Sequence, residues 1–185
     1  MLREITTWHL ELTDWRDFRP AHPRPELRIE RAEIPCPELN RFFYAAVGGD
    51  HFWIDRLSWT WDAWMAYLSR PELETWIGSV SGTPAGYFEI ERQAGGSAEI
   101  AYFGLLPQFV GRGLGGALLT AAVERAWEGG SRVWLHTCSL DHASALPAYQ
   151  ARGFRIFETE TAVRDMPDRP PGPWPGAGQV MGPPK

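Results

Sequence analysis

A chain of 185 residues, 44% of them hydrophobic, has the length of one domain with a substantial core. Its net charge of -5 and pI near 5.5 argue against a nucleic-acid or anionic-membrane partner, whose affinity comes from clustered Lys and Arg, and weakly favour a cationic substrate. Cys36 and Cys138 are the two cysteines, too few for a disulfide framework or a metal-ligand cluster, and are expected to be buried thiols.

The N-terminal stretch MLREITTWHLELTDW lacks the apolar run of a secretory signal, and no later segment offers the ~20 apolar residues of a membrane span. A cytoplasmic protein is expected. Trp8, Leu10 and Leu12 alternate with His9, Glu11 and Thr13, the pattern of a half-buried strand. Pro20, Pro23 and Pro25 then mark a loop, and Leu27 to Ala32 reads as a second strand. Pro35 and Pro37 open a helix that carries Leu39, Phe42, Phe43 and Ala46 at helical spacing and stops at Gly48-Gly49. Residues 50–71 concentrate Phe52, Trp53, Trp59, Trp61, Trp64 and Tyr67, with Ser58 or Thr60 as a helix cap. Trp61 and Trp64 are expected to pack as helix residues, and Phe52 and Trp53 to sit in a more exposed loop.

Glu74 to Val80 and Gly86 to Glu91 flank the turn cluster Ser81-Gly82-Thr83-Pro84, and Gln93 to Gly96 leads into a third run, Ala98 to Leu106. These short turns predict three adjacent antiparallel strands. In the third, Glu99, Ala101, Phe103 and Leu105 share one face, and Ile100, Tyr102 and Leu106 the other, so the strand is expected to be buried and Glu99 stands out. Beyond Pro107, Gly111, Gly113, Gly115 and Gly116 permit turn dihedrals closed to other residues and let a ligand approach the backbone. Leu114 to Glu128 follows as a helix, with Leu118, Leu119, Ala122, Val123 and Ala126 on its apolar face and Gly129-Gly130 as its stop. Free N–H groups at such a helix start suit a phosphate or pyrophosphate. Arg132 to Cys138 is a strand, His142 to Arg152 a short helix restricted by Pro147, and Phe154 to Val163 a last strand. Residues 166–185 are too rich in Pro and Gly for regular structure, with Trp174 as a possible surface anchor.

The run Val110-Gly111-Arg112-Gly113-Leu114-Gly115 resembles the Gln/Arg-x-x-Gly-x-Gly/Ala signature of the GNAT (Gcn5-related) N-acetyltransferases in all but its first position. A second run resembles that family's Asn-x-x-Ala-x-x-x-Tyr-x-x-x-Gly-Phe motif, with His142 in the Asn place, then Ala145, Tyr149 and Gly153-Phe154. Gly111, Gly113 and Gly116 also fit Gly-x-Gly-x-x-Gly of dinucleotide folds, but Pro107, Gln108 and the antiparallel strands upstream break the βαβ context that reading needs.

The resemblance implies an α/β (α+β) fold: a mixed, mostly antiparallel central sheet flanked by helices, with a V-shaped opening at the central strand. Residues 1–165 would form a single GNAT domain and 166–185 a tail. It implies acetyl-CoA as donor and no metal, held by Phe103, Leu105, Leu106, Val110, Gly111, Arg112, Gly113, Leu114, Gly115, Gly116 and His142. The pantetheine arm would lie along Phe103 to Leu106 like an added strand. The acceptor would be a small-molecule or peptide amine near Phe52, Trp53 and Glu89, although the aromatic cluster reads equally well as core. Direct attack by the amine would use Glu99 as general base and Tyr149 as general acid. For Glu99 the competing expectation is a structural pair with Arg92, for Tyr149 core packing, and Glu89 and Glu91 are fallback bases otherwise read as a solvated edge. His136 fits a core histidine, and neither it nor His142 has partners at metal-ligand spacing. A non-catalytic acyl-CoA-binding domain is the alternative function, as monomer or homodimer.

Overall fold

The computed structural model describes residues 1–172. Seven strands form one sheet: β1 (Leu2–Leu12), β2 (Leu27–Ala32), β3 (Leu73–Val80), β4 (Thr83–Gln93), β5 (Ser97–Leu105), β6 (Arg132–Cys138) and β7 (Arg155–Asp165). The described helices are α1 (Pro37–Gly48), α2 (Trp61–Leu68), α3 (Leu114–Trp127) and α4 (Ala145–Ala151). The sheet order is β2-β3-β4-β5-β6-β1-β7, with β3, β4 and β5 in the expected antiparallel meander.

Alternating side chains sort the core onto the two sheet faces. Phe88, Ile90, Ile100, Val133 and Leu135 meet Leu118, Leu119, Ala122, Val123 and Ala126 of α3. On the opposite face Tyr87 packs with Phe43 and Val47 of α1, while Tyr44 packs with Trp64 and Leu68 of α2. The Thr60 hydroxyl caps α2 by accepting from the Ala63 N–H at 3.2 Å. Trp61 departs from expectation. It is 56% exposed, because its indole turns outward to donate to Glu38 at 3.1 Å.

β5 and β6 are parallel and pair only over Ser97–Glu99 and Arg132–Trp134. Beyond that point they separate, and a register shift between Glu89 and Ile90 of β4 bends β5 further, leaving Ala101 unopposed. The expectation of a buried β5 is corrected here. From Ala101 to Leu105 the strand is half-exposed, because the gap to β6 removes its cover on that edge.

The ends also differ from the sequence reading. β1 starts at Leu2 rather than Trp8 and lies between β6 and β7, paired antiparallel with both. The single C-terminal strand is present, but the place beside β6 is filled by the N-terminal strand. Residues 166–172 contain no helix or strand; the rest of the proposed tail, including Trp174, lies outside the described residues. Among the described residues, no helix is long and apolar enough to cross a membrane.

Candidate functional site: the cleft between β5 and β6

The separated strands frame a cavity of about 660 Å³. Phe103, Gly104 and Leu105 of β5 line it, with Gly115 and Gly116 of α3 and Ala145, Ala148 and Tyr149 of α4. Tyr44 and Val47 of α1 and the following His51 to Asp55 form another wall, and His136, His9 and Glu160 contribute from β6, β1 and β7. The glycine turn and the Tyr149 helix therefore reach one space.

The glycine turn adopts the geometry its composition requires. Gly111 and Gly113 have φ of 80° and 76°, the left-handed region that favours glycine, and no side chain caps α3 at Gly113. The first N–H groups of α3 are thus free for an anion. Val110 lines the cavity, whereas Leu106 and Leu114 are 5% and 2% exposed and belong to the core. Gly111, Arg112 and Gly113 flank the cavity without lining it.

Tyr149 is 7% exposed, sits edge-on to Phe103 with ring centroids 6.2 Å apart, and lines the cavity. Burial, with a smaller contribution from the Asp141 charge, pushes its phenol well above the ordinary tyrosine value. His142, at the mouth of α4, is held by Ser144 at 2.7 Å and stacks edge-on with His51. Burial lowers the His51 imidazole, which keeps it neutral.

Glu99 lies behind the cavity wall. Its Oε1 is 3.5 Å from Nδ1 of His136, and its Oε2 accepts from Gln93 at 3.3 Å. His136 lines the cavity and its side chain is 48% exposed, so the expected core histidine is instead a cavity residue. The Arg92 pairing weighed for Glu99 is not formed. Arg92 bonds Glu74 at 2.7 Å and donates to two carbonyls at the end of α3, that of Arg125 and that of Glu128, the residue after the helix.

Glu89 is 1% exposed and does not line the cavity. Asn40, Arg56 and Tyr67 donate to it at 2.8, 3.1 and 2.8 Å. The Arg56 guanidinium lies over Tyr67 and Tyr102 at 3.9 and 4.1 Å, so the whole network supports the cavity floor from behind. Glu91 pairs with Arg70 at 2.9 Å rather than standing solvated.

Phe52 and Trp53 do line the cavity, half-buried. Gly48 lets Trp53 pack flat on the end of α1, since a Cβ there would overlap the indole. Asp141, which sequence reasoning missed, ties the walls together: it accepts from Trp53 at 3.3 Å, Thr137 at 2.7 Å and the Cys138 N–H at 3.0 Å. Cys36 and Cys138 are half-buried, not buried, because Cys138 also faces the cavity and Cys36 precedes α1. His9, Glu158 and Glu160, on β1 and β7, place ligand-capable atoms within 4.8 Å of one another, a grouping that no sequence spacing announces.

Comparison with known proteins agrees with this geometry. Residues 10–154 match the profile of the acetyltransferase (GNAT) family. The L-amino acid N-acetyltransferase AaaT of Escherichia coli (strain K12) is 26% identical over 163 residues, 85% of this chain and 87% of that protein. The mycothiol acetyltransferase of Corynebacterium aurimucosum is 29% identical over 84% of this chain, which spans only 41% of it. Among solved structures, a GCN5-related N-acetyltransferase from Sphaerobacter thermophilus has a TM-score of 0.66 at 18% identity over 89% of this chain, and one from Kribbella flavida 0.62 at 18% over 89%. The chain spans 53% and 60% of those two, and the likeness shows the shared fold.

Proposed function

The chain belongs to the acetyltransferase (GNAT) family, and from that membership we propose that it moves the acetyl group of acetyl-CoA onto the primary amine of a small molecule or peptide. The observation that carries this reading is the parting of β5 from β6 after Glu99, immediately upstream of the glycine turn. Backbone groups of β5 without a strand partner can pair with the pantetheine amides, while the start of α3 takes the pyrophosphate.

A lysine-type amine with a pKa of ~10.4 is unprotonated about one time in a thousand at neutral pH, a handicap of roughly 4 kcal/mol. Glu99 is the base, acting through His136, which reaches the cavity. The amine nitrogen attacks the thioester carbonyl, a C–N bond forms and the C–S bond breaks. One proton of the ammonium goes to His136 before attack; the departing thiolate takes the proton of Tyr149, and the second amine proton, released as the C–N bond forms, restores the phenol.

Four carboxylates line the cavity, Asp55, Asp141, Glu160 and Asp165, beside one arginine, Arg164. This balance favours a cationic amine, and Trp53 and Tyr102 suit an apolar body. The named activity of the Escherichia coli relative makes α-amino acids the first acceptors to screen, with Arg164 available to a carboxylate.

The test is release of CoA thiol across a panel of amines. Turnover of at least one amine that drops strongly in Glu99→Gln and in His136→Asn supports the scheme; an intact Glu99→Gln rate removes the base assignment. Tight CoA binding with no amine turned over leaves a non-catalytic acyl-CoA-binding domain.

A further inference from the structure

Coenzyme A carries a pyrophosphate and a 3′-phosphate, and a helix start alone neutralises little of that charge. At position 110, where the motif quoted above has Gln or Arg, this chain offers Val110, 46% exposed and uncharged. Two arginines from other parts of the chain stand at the same turn. Arg24, in the loop between β1 and β2, lays its guanidinium against Gly113: a Cβ there would overlap Nη2 and lie 3.0 Å from Cζ. Arg152, at the end of α4, brings Nη1 to 3.4 Å from where a Cβ would sit on Gly116, a cavity-lining residue.

Neither guanidinium forms an ion pair with a carboxylate among the described residues. The Nε of Arg152 is buried with no hydrogen-bond partner among the described residues. The loop that carries Arg24 is also fixed in place. Arg19 donates its N–H to the Arg152 carbonyl at 3.1 Å, the Ala21 N–H donates to Thr120 at 2.8 Å, and Arg155 pairs with Asp17 at 3.0 Å. The two arginines therefore belong to one tied unit over the amino end of α3.

We propose that Arg24 and Arg152 hold the phosphate groups of the donor, supplying from the β1–β2 loop and from α4 the cationic contact that Val110 lacks. The inference rests on the reading of acetyl-CoA as donor. Bidentate guanidinium contacts to phosphate suit this role, and a flexible loop residue becomes a specific ligand because its loop is pinned.

The experiment is calorimetric titration of the wild-type chain, Arg24→Ala and Arg152→Ala with CoA and with 3′-dephospho-CoA, and an NMR titration of each with pantetheine, which carries no phosphate group. Each substitution is expected to weaken CoA by about tenfold, to leave pantetheine unchanged and to flatten the salt dependence of CoA binding. A loss that persists with 3′-dephospho-CoA places the contact on the pyrophosphate, and one that vanishes places it on the 3′-phosphate; either supports the assignment. Wild-type CoA affinity in both variants, or an equal loss for pantetheine, overturns it. Arg24 is exposed, so its variant carries the test even if Arg152→Ala fails to fold. A wild-type chain that binds no CoA sinks the donor reading itself, a result distinct from unchanged variants.

Discussion

Glu89 and Arg56 are buried behind the cavity and do not line it. Glu89 and Arg56 form an ion pair in a cage of Tyr67, Tyr102 and Trp59, where each charge is tolerated only because the other is present. Arg56→Met is expected to lower stability by about 3–5 kcal/mol, since it strands a buried carboxylate, whereas adding Glu89→Gln recovers part of the loss. Urea melts of the two variants check this; equal stability of Arg56→Met and wild type would contradict it. Tyr149 is the complementary case, a buried phenol that lines the cavity. Tyr149→Phe is expected to reduce kcat about 100-fold while leaving the acetyl-CoA dissociation constant nearly unchanged. An unchanged kcat would return Tyr149 to a packing role. Glu89 illustrates why sequence alone misplaces such groups: the resemblance put it beside the acceptor and β4 alone suggested a solvated edge, whereas Asn40, Arg56 and Tyr67 close over it, a depth that cannot be read from β4.

At the scale of elements, local rules located most of the frame. The glycine turn, the α3 helix and the meander β3-β4-β5 were legible because each is coded by contiguous residues. What escaped was long-range. The first half of β1, LREITTW, has no clean alternation, and it becomes a strand because β7 pairs along it from Leu2, with β6 joining on the other side only from Thr7. His136 looked like a core histidine because it sits in the middle of its strand; the gap beside β5 exposes it. Helix α1 and the loop after it meet most tightly where the Trp53 indole lies on Gly48. Gly48→Ala is expected to cost about 1–3 kcal/mol by overpacking and to displace Trp53 from the cavity wall. A lower midpoint in thermal melts with altered tryptophan emission would bear this out, and a wild-type midpoint would show that the contact relaxes freely.

Across the whole molecule, the tyrosines report how thoroughly the sheet faces are covered. Tyr44, Tyr67, Tyr87, Tyr102 and Tyr149 all have phenols raised by burial. A phenol raised in the fold stays neutral where the unfolded chain would ionise, so this contribution to stability is intact below about pH 10 and is lost as pH climbs toward the folded values. Absorbance at 295 nm should therefore show little tyrosinate near pH 10 and then a cooperative rise that coincides with loss of circular dichroism. Gradual ionisation around pH 10 in a folded chain would contradict the buried arrangement. The central claim is that the β5–β6 cleft and the glycine turn bind acetyl-CoA, and its most direct test is a thermal-shift comparison of acetyl-CoA, CoA, NAD and NADP. A ligand at 100 times its dissociation constant adds ~2.7 kcal/mol, and for a chain of this size each kcal/mol moves the midpoint by about 2–4 °C. The account predicts a rise of several degrees with acetyl-CoA and CoA and none with the dinucleotides; no rise with CoA would contradict it.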